Sequence, residues 1–256
     1  MSLHIEVMGS GEPLVMLHGW GMHGGIWGEA AARLAKAYEV HLVDLPGHGA
    51  SPPPDAFTLE SVVDQLVATF EQPVTVIGWS LGGIIAQRWA AHAPDKIMRV
   101  VLLASTPSFA EHGNWDCGMP QETLAQFAAE LEKNFAATLR RFLSLQVRGS
   151  EGERELLGKL REQLFSRGEP HLDALRGGLQ ILRDADLRSA LPTIKQPSLV
   201  IVGERDKLTP PEASYYMADK MLNARMVEIA GAAHAPFLSH PEIFIEHVKS
   251  FLHERI

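Results

Sequence analysis

A glycine-rich turn after an apolar run of sequence is the feature that most constrains the fold. Residues 78–83 are Gly-Trp-Ser-Leu-Gly-Gly, and they stand between the apolar run 73–77 and a helical pattern over 81–91. A strand, a G-x-S-x-G turn and a helix form a nucleophile elbow, whose glycines allow strand and helix to cross closely. We therefore predict that Ser80 projects from the sheet edge in front of a helix N-terminus, which favours developing negative charge. Such a turn can also be purely structural. The catalytic interpretation therefore depends on whether residues that can activate Ser80 occur elsewhere in the chain.

Further apolar runs predict an α/β fold. These runs do not alternate between polar and apolar residues, which is typical of parallel strands covered on both faces. They cover residues 3–8, 14–18, 39–43, 100–104, 198–202 and 224–229. Helical patterns between them predict helices over 26–37, 58–70, 211–221 and 241–254. We therefore predict a mostly parallel sheet with helices on both faces, in which active-site residues collect at the carboxyl ends of the strands.

The alternation of strands and helices stops between residues 110 and 190. This segment contains only amphipathic helical patterns, over 121–147, 151–165 and 171–183. We interpret the segment as a helical cap inserted over the sheet edge. Residues 1–109 and 191–256 would then form one α/β core, a division that suits a chain of 256 residues.

Two residues with the chemistry to activate Ser80 follow later strands. Asp206 and His234 each come shortly after the apolar run of a predicted strand. A serine hydroxyl needs a base to become a nucleophile, and the base needs a carboxylate to orient it. The order Ser, Asp, His, with each residue at a strand end, predicts that the three converge as a catalytic triad. Glu204 is a nearby alternative to Asp206, which could instead cap a helix, and His234 could be an ordinary loop residue.

Such a site also needs two backbone N–H groups to hold the oxyanion of a tetrahedral intermediate. Leu81, the residue after the nucleophile, supplies one of them in this fold pattern. The loop after the strand 14–18 is expected to supply the other, from Trp20. Gly19 would then allow close approach of the backbone, and His18 would brace the loop.

Composition excludes several functional classes. The net charge of −8 argues against a nucleic-acid-binding protein. The single cysteine, Cys117, cannot form an intramolecular disulfide, and we interpret it as a packing residue. The N-terminal sequence does not resemble a signal peptide, and no window has the roughly 18 apolar residues of a membrane-spanning helix. We therefore expect a cytoplasmic monomer that acts neither on membranes nor on nucleic acid.

The predicted cap carries a local excess of positive charge. Between residues 138 and 167 there are seven cationic side chains and four carboxylates, in a chain that is acidic as a whole. A basic surface of this kind could dock an acidic partner or the carboxylate of a substrate. A solvated helix face with ion pairs such as Glu155–Lys159 also explains the charges, and charge alone favours this second interpretation.

With these residues in view, the chain resembles the α/β-hydrolase superfamily over essentially its whole length. Within it, the chain resembles the pimeloyl-[acyl-carrier protein] methyl ester esterases of biotin biosynthesis. The similarity rests on the turns 18–21 and 78–83 and on three less general stretches. These stretches are Arg-Phe-Leu-Ser-Leu-Gln at 141–146, Gly-Gly-Leu-Gln-Ile-Leu at 177–182 with Asp-Leu-Arg at 186–188, and Ala-Ala-His-Ala-Pro-Phe at 232–237 with Ser-His-Pro at 239–241.

The resemblance implies a serine carboxylesterase that frees methanol from the methyl ester of pimeloyl-acyl carrier protein, with no metal or organic cofactor. Ser80, Asp206 and His234 match the catalytic triad, and Trp20 and Leu81 match the oxyanion positions. Substrate binding is implied for Trp20, Ser80, Leu81 and His234, and for the acyl-binding stretch Phe142, Leu143, Ser144, Leu145 and Gln146.

The resemblance also implies that the cap docks acyl carrier protein, which is acidic. The candidates for this role are Arg140, Arg141, Arg154 and Arg161. Arg141 and Arg154 align with arginines of the family. Two more family arginines align with Ala137 and Gly158 here, so the other two candidates would have to replace them.

Two alternatives remain open from the sequence. The same triad would serve a generalist short-chain carboxylesterase or a C–C bond hydrolase, and a substrate screen distinguishes these from the carrier-specific enzyme. The fold could also be a binding module without catalysis, although the complete triad argues against that. Labelling of Ser80 by a fluorophosphonate probe decides this second question.

Overall fold

The sheet has seven strands within residues 2–254, which are the residues that the computed structural model describes. The strands are β1 (His4–Gly9), β2 (Glu12–Leu17), β3 (Tyr38–Asp44), β4 (Val74–Trp79), β5 (Ile97–Leu103), β6 (Ser198–Gly203) and β7 (Ala224–Ile229). Their order is β1-β3-β2-β4-β5-β6-β7, in which β1 is antiparallel to β3 and every other neighbouring pair is parallel. The central β4 and β6 are buried along their whole length, as their unbroken apolar runs require. The prediction of a mostly parallel α/β sheet is confirmed.

The helices follow the strands in the expected alternation. They are α1 (Gly28–Leu34), α2 (Leu59–Thr69), α3 (Leu81–His92), α4 (Gln121–Lys133), α5 (Phe135–Val147), α6 (Glu153–Leu164), α7 (Leu172–Asp184), α8 (Pro211–Lys220), α9 (Pro236–Ser239) and α10 (Pro241–Leu252). None of these helices is long and apolar enough to cross a membrane.

The predicted helix over 121–147 is wrong in one respect, because the structure divides it into α4 and α5. Asn134, between them, has non-helical backbone angles (φ −160°, ψ 86°). Its side-chain oxygen accepts a hydrogen bond from the backbone N–H of Ala137 at 3.0 Å. Asparagine is a preferred N-cap because this bond satisfies a donor at the start of the new helix. The amphipathic spacing continues on both sides of the break, which is why periodicity alone misses it.

Helices α4 to α7 all lie between β5 and β6 in the sequence, and they pack on one another. Backbone and side-chain hydrogen bonds tie them to loops at the carboxyl edge of the sheet. The N–H of His171 donates to the carbonyl of Gly47 at 2.7 Å, and that of Leu187 donates to Pro107 at 2.8 Å. The division into a core and a cap over 110–190 stays a prediction.

Candidate active site

The elbow between β4 and α3 holds Ser80 in a strained backbone conformation. Ser80 has φ 56° and ψ −117°, a region that residues with side chains rarely occupy. A Cβ at Gly78 would lie 2.2 Å from the carbonyl oxygen of Gly82, and one at Gly82 would lie 2.3 Å from that of Leu17. The two glycines are therefore required by the crossing of strand and helix. The hydroxyl of Ser105 donates to the carbonyl of Ser80 at 2.9 Å and helps to hold the turn.

The three residues predicted as a triad are brought together at the carboxyl ends of their strands. Ser80 Oγ lies 2.9 Å from Nε2 of His234, and His234 Nδ1 lies 2.8 Å from Oδ2 of Asp206. These distances define the tautomer, in which Nδ1–H donates to the carboxylate and Nε2 accepts from the serine hydroxyl. All three residues are buried, with Ser80 only 4% exposed. The arrangement can move a proton from the serine to the imidazole in a site that excludes bulk water.

Asp206, rather than its neighbour Glu204, contacts the imidazole. Its second oxygen, Oδ1, accepts the backbone N–H groups of Leu208 and Thr209 at 2.9 and 3.0 Å. Glu204 is exposed and instead accepts the N–H of Gly231 at 2.8 Å. The alternative in which Glu204 is the acid of the site therefore has no support in the geometry.

The loop after β2 lies against the elbow, where the second oxyanion donor is expected. A Cβ at Gly19 would be 3.3 Å from that of Ser80 and 3.2 Å from the Trp79 ring, so glycine allows a close approach here. His18 Nδ1–H donates to the Gly19 carbonyl at 2.8 Å, and its Nε2 accepts the N–H of Leu45 at 3.0 Å. Burial, together with the nearby His48, holds the pKa of His18 well below its usual value. His18 is therefore a neutral brace that joins the loop to the end of β3.

Trp20 and Leu81, the predicted oxyanion residues, are both buried. Leu81 begins α3, where a backbone N–H has no acceptor within the helix. The Trp20 indole N–H donates to the carbonyl of Leu175 in α7 at 2.9 Å. The indole also meets Phe142 edge-to-face, with ring centroids 5.0 Å apart. Helices α5 and α7 thus fix the side chain of the residue whose backbone is expected to hold the oxyanion.

The predicted acyl-binding stretch 142–146 lies in α5 and reaches the catalytic histidine. The carbonyl of Gln146 accepts the backbone N–H of His234 at 3.0 Å. Phe142, Leu143 and Gln146 are buried, whereas Ser144 and Leu145 are partly exposed. The Gln146 side-chain oxygen is buried without a hydrogen-bond partner among residues 2–254. A buried polar atom without a partner is unusual in a folded protein, and a bound group could supply the missing hydrogen bond.

Gly178 packs closely against both predicted oxyanion residues, a role that the sequence analysis did not assign to it. A Cβ at Gly178 would be 2.5 Å from Cδ1 of Trp20 and 3.5 Å from Cδ2 of Leu81. Its neighbour Gly177 would meet the carbonyl oxygen of Phe57 at 2.4 Å in the same way. The Gly-Gly pair in a predicted amphipathic helix was the available signal, since glycine is unfavourable inside helices unless close packing requires it.

The arginines predicted to dock a carrier protein differ in their surroundings. Arg141 is paired with Glu130 of α4 at 2.5 Å, and its guanidinium lies over the ring of Phe127. Arg140 is exposed and lies over Phe165, with 5.9 Å from Cζ to the ring centroid. Arg148, Arg154 and Arg161 are exposed and make no ion pair among the described residues, whereas the exposed Arg176 and Arg183 of α7 are paired with carboxylates. The pairing of Arg141 reduces the charge that it can offer to a partner.

Two further observations concern metal-binding side chains and the single cysteine. No group of three or more histidine, cysteine, aspartate or glutamate side chains suited to a metal ion occurs in the range 2–254. Cys117 is partly exposed, and burial raises the pKa of its thiol, the opposite of what a nucleophilic cysteine needs.

A family model and several known sequences match nearly the whole chain. The family model described as "alpha/beta hydrolase fold" matches residues 12–241. The chain is 43% identical over 245 residues to a protein of Chromobacterium violaceum named pimeloyl-[acyl-carrier protein] methyl ester esterase, covering 96% of each chain. It is 42% identical to a protein of the same name from Nitrosomonas europaea, covering 95% of this chain and 97% of the relative.

Solved structures match over nearly the whole chain. An esterase from Exiguobacterium antarcticum superimposes with a TM-score of 0.87 at 23% identity, covering 98% of this chain and 96% of the esterase. A hydrolase from Pseudomonas aeruginosa gives a TM-score of 0.82 at 26% identity, covering 98% and 94%. The likeness to the first of these, at so low an identity, concerns the fold alone.

Proposed function

Because the chain belongs to the α/β-hydrolase fold family, and within it to the pimeloyl-[acyl-carrier protein] methyl ester esterases, we propose that it hydrolyses the methyl ester of pimeloyl-acyl carrier protein. The products are methanol and the carrier protein with a free pimeloyl carboxylate, as biotin synthesis requires. The observation that carries the proposal is the hydrogen-bonded series from Ser80 through His234 to Asp206, buried beside the apolar wall of α5.

In the first half of the reaction, Ser80 Oγ attacks the ester carbonyl while Nε2 of His234 takes the hydroxyl proton. The carbonyl oxygen becomes an oxyanion, which the backbone N–H groups of Trp20 and Leu81 stabilise. Each such donor contributes about 3 kcal/mol in comparable sites. The C–O bond to the methoxy group then breaks, and His234 gives its proton to the departing methanol. Asp206 keeps the imidazole oriented and stabilises its positive charge.

In the second half, water attacks the acyl group on Ser80 with His234 again as the base. The same two N–H groups hold the oxyanion, and the Ser80–acyl bond breaks as the serine regains its proton. The overall balance is one ester and one water converted to one carboxylic acid and one methanol. No cofactor enters the scheme, since the elbow, the base and the carboxylate supply every proton transfer.

The partner in this reaction is acyl carrier protein, and we assign its docking to the exposed basic surface of the cap. The unpaired Arg154 and Arg161 on α6, with Arg148 just before it, are better suited to this role than Arg141, which Glu130 neutralises. Arg140 stays a candidate, since its contact with Phe165 leaves its charge uncompensated. We further propose that the enzyme acts as a monomer in the cytoplasm, away from membranes and nucleic acid.

Mass spectrometry of the carrier protein tests the proposal directly. Methyl pimeloyl-carrier protein is incubated with the enzyme, and with Ser80→Ala as the matched control. We expect the wild-type enzyme to remove the methyl group while the thioester to the carrier stays intact. Ser80→Ala should leave the methyl group in place. Hydrolysis of the thioester instead, or equal turnover by the variant, would contradict it. A parallel screen of short-chain esters without a carrier tests for the generalist esterase.

A further inference from the structure

Thr209 is a buried residue that contacts two members of the triad. Its hydroxyl donates to Oδ2 of Asp206 at 2.8 Å, and the same hydroxyl lies 3.4 Å from Nδ1 of His234. Oδ2 is also the oxygen that accepts the Nδ1–H of His234. The side chain of Thr209 is 1% exposed, so no water competes for this contact from bulk solvent.

Each oxygen of Asp206 accepts two hydrogen bonds, but only Oδ2 contacts the base. Oδ1 accepts two backbone N–H groups, from Leu208 and Thr209, and is not shared with the base. Oδ2 accepts the imidazole N–H and the threonine O–H. A carboxylate offers about four acceptor positions, so these four donors saturate it. The N–H groups of Leu208 and Thr209 fix the rotation of the carboxylate. The hydroxyl of Thr209 shares the charge of Oδ2 with the imidazole N–H.

We propose that Thr209 is a positioning residue for the reaction, whose hydroxyl turns Oδ2 of Asp206 toward His234 and limits the strength of that contact. A donor to Oδ2 spreads its negative charge and makes it a weaker acceptor for the imidazole N–H. Without the hydroxyl, Oδ2 would hold the protonated imidazole more tightly. The base would then keep its proton to a higher pH and be less available to take one from Ser80.

Among the described residues, no other charged side chain near His234 modulates its contact with Asp206. On the same loop, Glu204 bonds to the backbone of Gly231, Arg205 bonds to Gly149, and Lys207 is exposed. From the other elements that contact His234, the facing groups are neutral: Trp79 and Ser80 of the elbow and Gln146 of α5. Asp206 is therefore the one charged partner of the base among residues 2–254, and Thr209 is the side chain that modulates it.

The test compares Thr209→Val, which keeps the shape but removes the hydroxyl, with Thr209→Ser, which keeps the hydroxyl. We expect the acidic limb of the kcat/KM profile to move to higher pH by about half to one unit in Thr209→Val. KM should stay within about twofold, and Thr209→Ser should follow the wild-type profile. The proposal would be overturned if Thr209→Val lowered kcat/KM by the same factor at every pH. It would also be overturned if the pH profile of Thr209→Ser matched that of Thr209→Val.

A second measurement keeps the test independent of turnover. The NMR resonance of the Nδ1 proton of His234, which reports protonation of the ring at Nε2, should change position at higher pH in Thr209→Val than in the wild type or Thr209→Ser. An unchanged titration in a folded Thr209→Val protein would also overturn the proposal. This inference rests on the proposed triad, but the two fail differently. If the triad assignment is wrong, Ser80→Ala stays active. If only the role of Thr209 is wrong, Ser80→Ala is inactive but the pH midpoints of Thr209→Val and the wild type are equal.

Discussion

The backbone N–H of His234 donates to the carbonyl of Gln146 at 3.0 Å, so the catalytic base is held by a helix that precedes it by almost ninety residues. Nearby, the N–H of Glu151 donates to the carbonyl of Gly231 at 3.2 Å, and Arg205 donates to Gly149 at 3.2 Å. The end of α5 and the turn after it thus contact both loops that carry the acid and the base. Whatever moves this segment changes the geometry of the site.

Ser80→Ala should lower kcat on the order of a million-fold while leaving the protein folded, because it removes the only nucleophile in the scheme. The methyl of alanine fits the space of the serine, so the melting temperature should stay close to that of the wild type. Steady-state kinetics and thermal unfolding check both statements. Retained turnover at more than a thousandth of the wild-type rate would mean that another group attacks the ester.

Gly178→Ala should impair catalysis more than stability, because the added Cβ displaces the Trp20 indole from its bond to Leu175. A displacement of this size near an oxyanion donor costs on the order of a hundredfold in kcat/KM. The matched control is Gly158→Ala, another glycine inside a cap helix, where no atom lies within 4 Å of the new Cβ. The control should gain about 0.5–1 kcal/mol of stability and keep full activity. Equal kinetics in the two variants would contradict the role assigned to Gly178.

Arg154→Glu and Arg161→Glu should each lower kcat/KM on the carrier-bound ester by about five- to tenfold. The loss should appear in KM and weaken as salt is added, since exposed charges are screened. Lys36→Glu, which also changes a cation to an anion at an exposed site just before β3, at the amino edge of the sheet, is the control. Rates on a free methyl ester should not change in any of these variants. An equal loss for the control would indicate a general charge effect instead of a docking surface.

Stability should fall in mild acid because of His48, which is buried with its Nδ1–H donating to the carbonyl of Pro46. Burial lowers the pKa of His48 to about 4, whereas an unfolded histidine titrates near 6.5. The unfolded chain therefore binds the proton first as the pH falls, which favours unfolding between these two values. Linkage gives a loss of about 2 kcal/mol between pH 7 and pH 5 from this residue.

Urea unfolding of His48→Asn at both pH values measures that contribution. The asparagine amide can still donate to Pro46 but does not titrate, so the variant should lose about 2 kcal/mol less than the wild type over this range. The comparison between proteins removes the contributions of other groups, including the buried His18. The same loss in both proteins would show that His48 is not the group responsible.

The positions of the triad were predictable because they depend on a general property of parallel sheets. Ser80, Asp206 and His234 each follow a strand, and the carboxyl ends of parallel strands meet at one edge whatever the loops between them do. The apolar runs of β4 and β6 were visible for a similar reason, since strands buried on both faces are composed mainly of apolar residues.

Features that depend on packing between helices were not predictable in the same way. The ion pair of Arg141 with Glu130 requires α4 and α5 to fold back on each other, and that turn begins at Asn134, inside what periodicity predicts as one helix. Gly178 is significant only because α7 approaches Trp20. The contact of Thr209 with Oδ2 of Asp206 depends on side-chain rotamers within a loop, for which sequence spacing carries no signal.

The most direct measurement of the central claim is kcat/KM on pimeloyl-carrier protein methyl ester against the same methyl ester without the carrier, at low and high salt. We expect a strong preference for the carrier-bound ester that weakens as salt screens the basic cap surface. Both activities should disappear in Ser80→Ala. Equal rates on the two esters at both salt concentrations would contradict the claim that a carrier-bound ester is the substrate.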